Sequence, residues 1–173
     1  HFNKVMSRLE SKLPFGERKY SRFVYCGLQV EQVNKNLITG DQYDYIDKLQ
    51  PMAHKHLAVD KPIPASEQTN FKGLCGGLGW AVINTRLDYA VDVSYLASKG
   101  LNATGAGVAM GNKIMRAMST HPVQLRFFKV GNALADWATV TFHGAGWATR
   151  PSLHSQAGGA IFAAEASVRN GDK

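Results

Sequence analysis

The chain has 173 residues, of which 45% are hydrophobic and 19% charged, so its composition is that of a globular protein and excludes an intrinsically disordered one. The formal net charge of +7 favours an anionic partner, most often nucleic acid, over a basic protein that binds no polyanion. No apolar run reaches the roughly 18 residues of a membrane span and no signal peptide opens the chain, which predicts an intracellular protein, cytoplasmic or nuclear, without a membrane partner.

The first predicted elements are a helix and a strand. Apolar residues recur at helical spacing from Val5 to Leu13, and Pro14-Phe15-Gly16 ends that helix. Residues 20–33 have apolar groups at both odd and even positions, which indicates a single strand with two apolar faces.

A hairpin and a short helix follow. The polar residues at 34–36 predict a turn, and a returning strand begins at Leu37. Asp41 is predicted to cap a helix that carries Tyr45 and ends at Pro51.

The middle of the chain predicts a linker and then helices. Prolines and a scarcity of apolar residues indicate a linker at 58–69. The long helix after it contains several glycines, each costing about 1 kcal/mol relative to alanine. Either a closely packed neighbouring backbone or a loosely ordered helix would account for them. Further helices are predicted from Tyr89 and over about 106–118, and strands over 124–130, 138–142 and 158–164.

The positive charge is concentrated in one part of the chain. Between Val93 and Ala135 there is no acidic residue, whereas five cations fall there: Lys99, Lys113, Arg116, Arg126 and Lys129. Lys113 and Arg116 share a helix face that can bind backbone phosphate in a salt-dependent manner, although a merely solvated face is the alternative.

Several motifs, taken in order, resemble copia-type retrotransposon reverse transcriptase. They include the Phe-x-Tyr-Cys-Gly run at 23–27, Gln-x-x-Tyr-Ile at 42–46, Gly-x-x-Gly-x-Leu-x-Trp at 73–80, Thr-Arg-x-Asp at 85–88 and Asn-Lys-x-x-Arg at 112–116. Leu87 stands where the family has proline. The stretch at 142–159, with Trp147-Ala148 and Gly158-Gly159, resembles the first strands of the family's ribonuclease H domain.

The resemblance implies an α+β fold in four parts: a reverse transcriptase palm or thumb remnant at 1–57 formed by a helix and a β-hairpin, the linker at 58–69, a helical connection region at 70–130, and the opening strands of a truncated ribonuclease H-like segment at 131–173. It also implies contact with an RNA or DNA template–primer through Arg86 and the five cations named above. The chain starts at His1 without methionine, so we expect a fragment of a larger polyprotein or assembly.

The same resemblance argues against catalysis by this chain. Both parent activities use magnesium ions held by carboxylates. The chain contains no Asp-Asp dipeptide, and Gly144 occupies the position of a ribonuclease H aspartate. After Gly144 the only acids are Glu165 and Asp172. We therefore expect no catalytic residue, no metal ligand and no cofactor here.

Individual residues keep alternative interpretations. Arg86 and Asp88 are predicted to form an ion pair at the start of a helix. His54, His56 and His143 could serve a metal hydrolase, but the spacing supplies no third ligand near the first two, and surface histidines are favoured. Asp136 is interpreted as a solvated loop residue. The tryptophans at 80, 137 and 147 could stack on bases, although core positions are more common.

The cysteines also leave an alternative open. Cys26 and Cys75 lie in apolar sequence without zinc-ligand spacing, so buried thiols are favoured, while a disulfide between them remains open.

The sequence as a whole predicts a non-catalytic fragment of a retrotransposon RNA-directed DNA polymerase that contacts template–primer nucleic acid. The alternative is a retrotransposon-derived structural or interaction subunit with no nucleic-acid role.

Overall fold

The computed structural model describes residues 2–13, 16–17, 19–131, 136–146 and 156–170. The protein is of the α+β class, with helices, a four-stranded sheet and a separate two-stranded sheet. It divides into two compact units, His1–Phe127 and Phe128–Lys173. No helix among the described residues is long and apolar enough to cross a membrane.

The predicted N-terminal helix is present as α1 (Phe2–Glu10), but the single strand expected over 20–33 is wrong. Two strands occupy that region, β1 (Arg22–Tyr25) and β2 (Leu28–Asn34), and they pair antiparallel. Cys26 and Gly27 join them with φ of 49° and 84°. Two successive positive φ values match the twist of the flanking strands in a two-residue hairpin turn.

The expected returning strand is confirmed as β3 (Leu37–Asp41), which pairs antiparallel with β2. Strand β4 (Gln124–Phe128) completes the sheet in the order β1-β2-β3-β4. The side chain of Gln124 lies 3.4 Å from that of Asp41. The start of β4 therefore lies beside the end of β3, and the two strands run in opposite directions.

The helices of the first unit build its core. They are α2 (Tyr43–Asp47), α3 (Ala65–Asn84), α4 (Ala90–Ala97) and α5 (Gly105–Thr120), with 3-10 turns at Leu87–Tyr89 and Gly100–Asn102. The buried apolar residues come mainly from these helices and from the loop that precedes α3, among them Ile46, Phe71, Leu78, Leu96, Val108 and Met118. Gln42, rather than Asp41, is the N-cap residue of α2.

The segment expected to be a linker, 58–69, is instead part of this packed unit. Ile63 is buried in the core, and its backbone N–H donates to the carbonyl of Ala103 at 2.8 Å. Helix α3 already begins at Ala65. The prolines at 62 and 64 therefore shape the entry into a helix and do not separate two domains.

The glycines of α3 do not lie against a neighbouring backbone. A Cβ at Gly73, Gly76 or Gly79 would meet nothing within 4 Å, while one at Gly77 would lie 2.9 Å from the side chain of Leu49. Only Gly77 therefore has a steric reason for its small size. Even so, α3 continues unbroken over 20 residues.

One end of the sheet is attached to the helices. The Nε1 of Trp80 donates to the carbonyl of Cys26 at 2.8 Å, and the ring of Tyr45 packs so closely on Gly27 that a Cβ there would lie 2.8 Å from it. The hydroxyl of Tyr45 donates to the carbonyl of Gly77 at 3.1 Å. The hairpin turn is thus held between α2 and α3.

The second unit contains a long hairpin, β5 (Trp137–Gly146) and β6 (Gln156–Glu165), followed by a 3-10 turn at Ala166–Asn170. The strands pair antiparallel from Trp137↔Glu165 to Gly146↔Gln156. The two strands predicted in this region are present and longer than expected. Trp147 and the residues up to Ser155 lie outside the described residues.

Candidate nucleic-acid interface

Helix α5 is fixed at its N-terminus by the loop before α3. The N–H groups of Gly105 and Ala106 donate to the carbonyls of Ala58 and Val59 at 3.0 and 3.1 Å. The Thr104 hydroxyl accepts from the N–H of Gly107 at 3.4 Å. Because the first N–H groups of the helix already have acceptors, a phosphate would have to be bound by side chains of α5 and not by its N-terminus.

The buried side of α5 is clamped to the same loop by Asn112. Its Nδ2 donates to the carbonyl of Met52 at 2.7 Å, and its Oδ1 accepts from the Met52 N–H at 3.0 Å. This two-point contact fixes the orientation of the amide, so Nδ2 is also the atom that lies 3.1 Å from Nδ1 of His54. His54 is therefore the acceptor in this contact, which orients the loop against the helix.

Lys113 and Arg116 lie on the exposed side of α5. Residues three apart on a helix have Cβ atoms about 5–6 Å from each other, so the two cations are neighbours. The sequence of α5 contains no acid. Among the described residues neither cation forms an ion pair. Asp47 contacts the end of α5, where it accepts from the Ser119 hydroxyl at 2.6 Å. The shared face of Lys113 and Arg116 is a compact positive surface.

Lys99 is more constrained than these two. Its Nζ donates to the hydroxyl of Tyr95 at 2.7 Å and lies 4.2 Å from the centre of the same ring. The side chain is half-buried against α4. It can add to the positive field, but contact with a ligand would require it to leave Tyr95.

The remaining two cations flank the end of the first unit. Arg126 is exposed in β4, and Lys129 is exposed just after that strand. Arg126 belongs to the first unit and Lys129 to the second. The structure thus brings Lys113 and Arg116 together on one helix and leaves Lys99, Arg126 and Lys129 on separate elements.

Arg86 is not on a surface at all, because only 1% of it is exposed. Its Nε and Nη2 donate to the two carboxylate oxygens of Asp88 at 3.0 and 2.7 Å, and its Nη1 donates to the carbonyl of Met118 at 2.8 Å. These hydrogen bonds to Asp88 are the main reason that the pKa of Arg86 is raised. The predicted ion pair is confirmed, and its burial leaves Arg86 no surface on which to meet a phosphate.

The histidines do not assemble into a metal centre among the described residues, which contain no group of three or more His, Cys, Asp or Glu side chains suited to a metal ion. His54 is half-buried against Asn112, and His56 is exposed. The side chain of His143 lies outside the described part of the chain.

The long hairpin of β5 and β6 separates its acids from position 144. Gly144 pairs with Gly158, whereas Glu165 pairs with Trp137 at the opposite end of the hairpin. The seven residue steps from Trp137 to Gly144 correspond to about 24 Å. Asp136 lies at that distant end as well, beside Trp137. Glu165 and Asp136 therefore lie far from Gly144, and neither can share a metal ion with a group at that position.

Two tryptophans are placed differently. Trp80 lies on α3 and donates to the carbonyl of Cys26 in the hairpin turn, which agrees with a structural role. Trp137 is exposed in β5. Both cysteines are free thiols, with Cys26 exposed and Cys75 half-buried, so the disulfide left open by the sequence is absent.

Two features escaped the sequence analysis. The first is the contact between Asn112 and Met52, for which an asparagine in an apolar helix face was the available signal. The second is the antiparallel pairing of β1 with β2, which the prediction of a single strand over 20–33 conceals.

Comparison with known proteins identified no relative. No protein-family model matches the chain, and neither a curated protein nor a solved structure does. The link to copia-type reverse transcriptase therefore rests on the motifs of the sequence.

Proposed function

We propose that this chain is a non-catalytic part of a retrotransposon RNA-directed DNA polymerase and holds the template–primer duplex through α5. It would act within a larger polyprotein or assembly in an intracellular compartment. The polymerisation chemistry would be carried out by carboxylates outside this chain, since its sequence contains no Asp-Asp pair.

The observation that carries the proposal is the exposed pair Lys113 and Arg116 on a helix without acids. A surface of this kind attracts a polyanion, and neutralising each phosphate releases counterions. Because the opposite side of α5 is packed in the core and pinned through Asn112, the two cations are presented on a rigid element. Rigid placement lowers the entropy lost on binding.

The other cations have supporting parts. Arg126 and Lys129 are exposed and extend the positive sequence beyond α5. Lys99 contributes to the field from its position against Tyr95. Arg86 is left out of the proposed interface and instead stabilises the fold around Met118.

The proposal is tested by measuring the binding of a labelled RNA–DNA hybrid by fluorescence anisotropy over a series of salt concentrations. The logarithm of the binding constant should fall linearly with the logarithm of the salt concentration. In the variant K113E/R116E the affinity should fall by roughly tenfold or more at low salt. The slope of log K against log salt should become shallower by about 2, because two phosphate contacts are lost.

A matched control is the variant K61E/K72E, which changes the net charge by the same amount. Lys61 and Lys72 are exposed, and neither lies on α5. This control should lose little affinity and keep the slope. Equal losses in both variants would show a nonspecific effect of net charge, and no binding by the wild-type protein at low salt would overturn the proposal.

The second candidate function is that of an interaction subunit without a nucleic-acid role. The observation that favours it is the apolar sheet face, where Tyr25 and Phe127 are exposed. A protein that binds no hybrid but associates through this face would have this second function.

A further inference from the structure

The second unit buries little apolar surface within the described residues. Ala138 is the one apolar residue among them that is buried, whereas Ile161 is 72% exposed and Phe162 48%. In the first unit, by contrast, the buried apolar residues form a common core. A two-stranded hairpin alone is marginally stable in water and needs further strands or a packed helix. The hairpin of β5 and β6 therefore requires additional structure for its stability.

The edges of this hairpin are long and carry no charge. Strands β5 and β6 have ten residues each, and in the described part of the chain they pair only with each other. The sequence of β5 contains no Asp, Glu, Lys, Arg or Pro, and β6 contains none before its last residue, Glu165. The register between the strands is unbroken. Such an edge presents its outer backbone N–H and C=O groups to another strand.

The four-stranded sheet of the first unit has the opposite kind of edge. Its outer strands are β1, which has four residues and carries Arg22, and β4, which has five residues and carries Arg126. Short edge strands and charged side chains are the usual means of preventing a sheet from pairing with another chain. The protein therefore protects one sheet against strand addition and leaves the other open to it.

The two edges of the hairpin also differ from each other. The 3-10 turn at Ala166–Asn170 lies against β5, and the charged residue Asp136 directly precedes that strand. Strand β6 has no charge over its first nine residues. An extended strand supplies backbone donors and acceptors at the spacing that an edge requires. The outer edge of β6 is thus the better site for a further strand.

We propose that β6 pairs antiparallel with β6 of a second copy of this chain, so that two hairpins form one four-stranded sheet. In such a pair, related by a two-fold axis, the strand meets its own copy. Like charges placed opposite each other would destabilise it, and β6 is free of them except at its end. Selection of a different protein commonly uses complementary charges, which this edge lacks. The inference does not depend on nucleic-acid binding by α5.

The symmetry of the pair determines which residues meet. Directly opposed residues of antiparallel strands lie on the same face of the sheet, and a two-fold axis perpendicular to the sheet preserves that face. A residue near the centre of β6 must therefore oppose its own copy. The central residues are Ala160 and Ile161. With either of them on the axis, the two Ile161 side chains are opposed or diagonal neighbours, so pairing brings these exposed apolar groups together.

The test is the mass of the full chain in solution, measured by sedimentation equilibrium at physiological salt. At a protein concentration of about 100 µM, suited to a small interface, the wild-type chain should have twice its 18.9 kDa mass. The variant I161K/A163K places ammonium groups on one face of β6, where they meet those of the other copy. Its dimer dissociation constant should rise by at least about tenfold.

A matched control is the variant T139K/T141K. Thr139 pairs with Ala163 and Thr141 with Ile161, so the same charges lie on the same face of the hairpin but on the other strand. All four side chains are exposed, so neither variant buries a charge in the hairpin. The control charges are separated from the other copy by the two β6 strands, and salt largely screens them at that distance. This variant should remain a dimer.

Cross-linking tests the geometry without adding charge. In the background C26S/C75S, either Ala160→Cys or Ile161→Cys should form a disulfide between two chains under mild oxidation, because opposed Cβ atoms lie about 4.5–5.5 Å apart. Thr141→Cys, on β5, should form none. Non-reducing gel electrophoresis gives the result. A cross-link that forms equally well from β5 would contradict pairing through β6.

Three results in sedimentation would overturn the inference. A wild-type monomer at this concentration would show that β6 does not pair with its copy. A dimer retained in I161K/A163K would place the contact elsewhere. Equal dissociation of I161K/A163K and T139K/T141K would indicate that two hairpins stack through their faces, because only edge pairing distinguishes the two strands.

Discussion

The helical region at 65–120 and the four-stranded sheet belong to the same unit but are stabilised differently. The helices enclose a core in which Leu78 and Val108 are fully buried. The sheet contributes no residue to that core and is attached mainly at its Cys26-Gly27 turn. The helices therefore supply most of the hydrophobic stabilisation, while several apolar side chains of the sheet, such as Tyr25 and Val24, stay exposed.

The ion pairs of the two regions also differ in burial, in the same sense as the apolar side chains do. The ion pair of the helical region, Arg86 with Asp88, includes a fully buried guanidinium. The ion pair of the sheet, Arg22 with Glu31, is exposed on both sides at 3.9 Å. Burial strengthens an interaction and raises the cost of breaking it, so the two regions should respond very differently to matched substitutions.

The largest effect is expected from breaking these ion pairs. Arg86→Met should lower the free energy of unfolding by about 3 kcal/mol, because the Met118 carbonyl loses its donor and Asp88 its partner. Arg22→Ala should lower it by less than about 1 kcal/mol, as for other exposed pairs. Urea unfolding followed by circular dichroism measures both. Similar losses in the two variants would contradict the proposed difference between the regions.

Removing apolar side chains tests the same difference in packing. Leu78→Ala should cost about 2–5 kcal/mol, because it leaves a cavity in a closed core. Val24→Ala, at a position that is 56% exposed, should change stability by less than about 0.5 kcal/mol. Thermal unfolding of the two variants gives the comparison. A large cost at Val24 would mean that the sheet face is covered in solution.

Two glycines in the helices, Gly105 and Gly76, should respond in opposite directions to substitution by alanine. Gly105→Ala should destabilise the protein by about 1–3 kcal/mol, since the new Cβ would lie 2.6 Å from the backbone carbonyl of Ala58. Gly76→Ala should instead stabilise it by about 0.5–1 kcal/mol, since nothing lies within 4 Å of the new methyl group. Chemical denaturation shows whether each substitution raises or lowers the free energy of unfolding. A loss of stability at Gly76 would indicate close packing on α3.

The smallest effect concerns the two thiols, one in each region. Burial raises the pKa of the Cys75 thiol, so the thiolate forms at higher pH than in a free cysteine. The alkylation rate of Cys75 should therefore rise at higher pH than that of a model thiol and should be slower than that of exposed Cys26. Peptide mapping after timed iodoacetamide treatment checks this. Equal rates would show that α3 opens readily.

The sequence predicted local elements wherever one periodicity dominated. The helix around Val108 and Met118 and the strands β5 and β6 are predicted because apolar spacing acts over short distances. The hairpin turn at Cys26-Gly27 was missed because cysteine is not a typical turn residue. That error concealed the register of β1 with β2.

The candidate interface was predicted only in part. The scarcity of acids between Val93 and Ala135 pointed to Lys113 and Arg116, which are exposed as expected. The same reasoning included Arg86, whose position depends on Asp88 and on Met118, 32 residues away in the sequence. Charge counts do not report such long-range contacts.

The sequence by itself determined the α+β class, the approximate positions of most helices and strands, the basic character of α5, and the lack of paired aspartates. These properties follow from composition and from short-range periodicity. The tertiary structure alone decided which cations are exposed, that the segment at 58–69 caps α5, and that apolar side chains of the sheet such as Tyr25 and Phe127 are exposed. Those properties depend on strand register and on contacts between residues distant in the chain, because burial and the pairing of charges are set by packing.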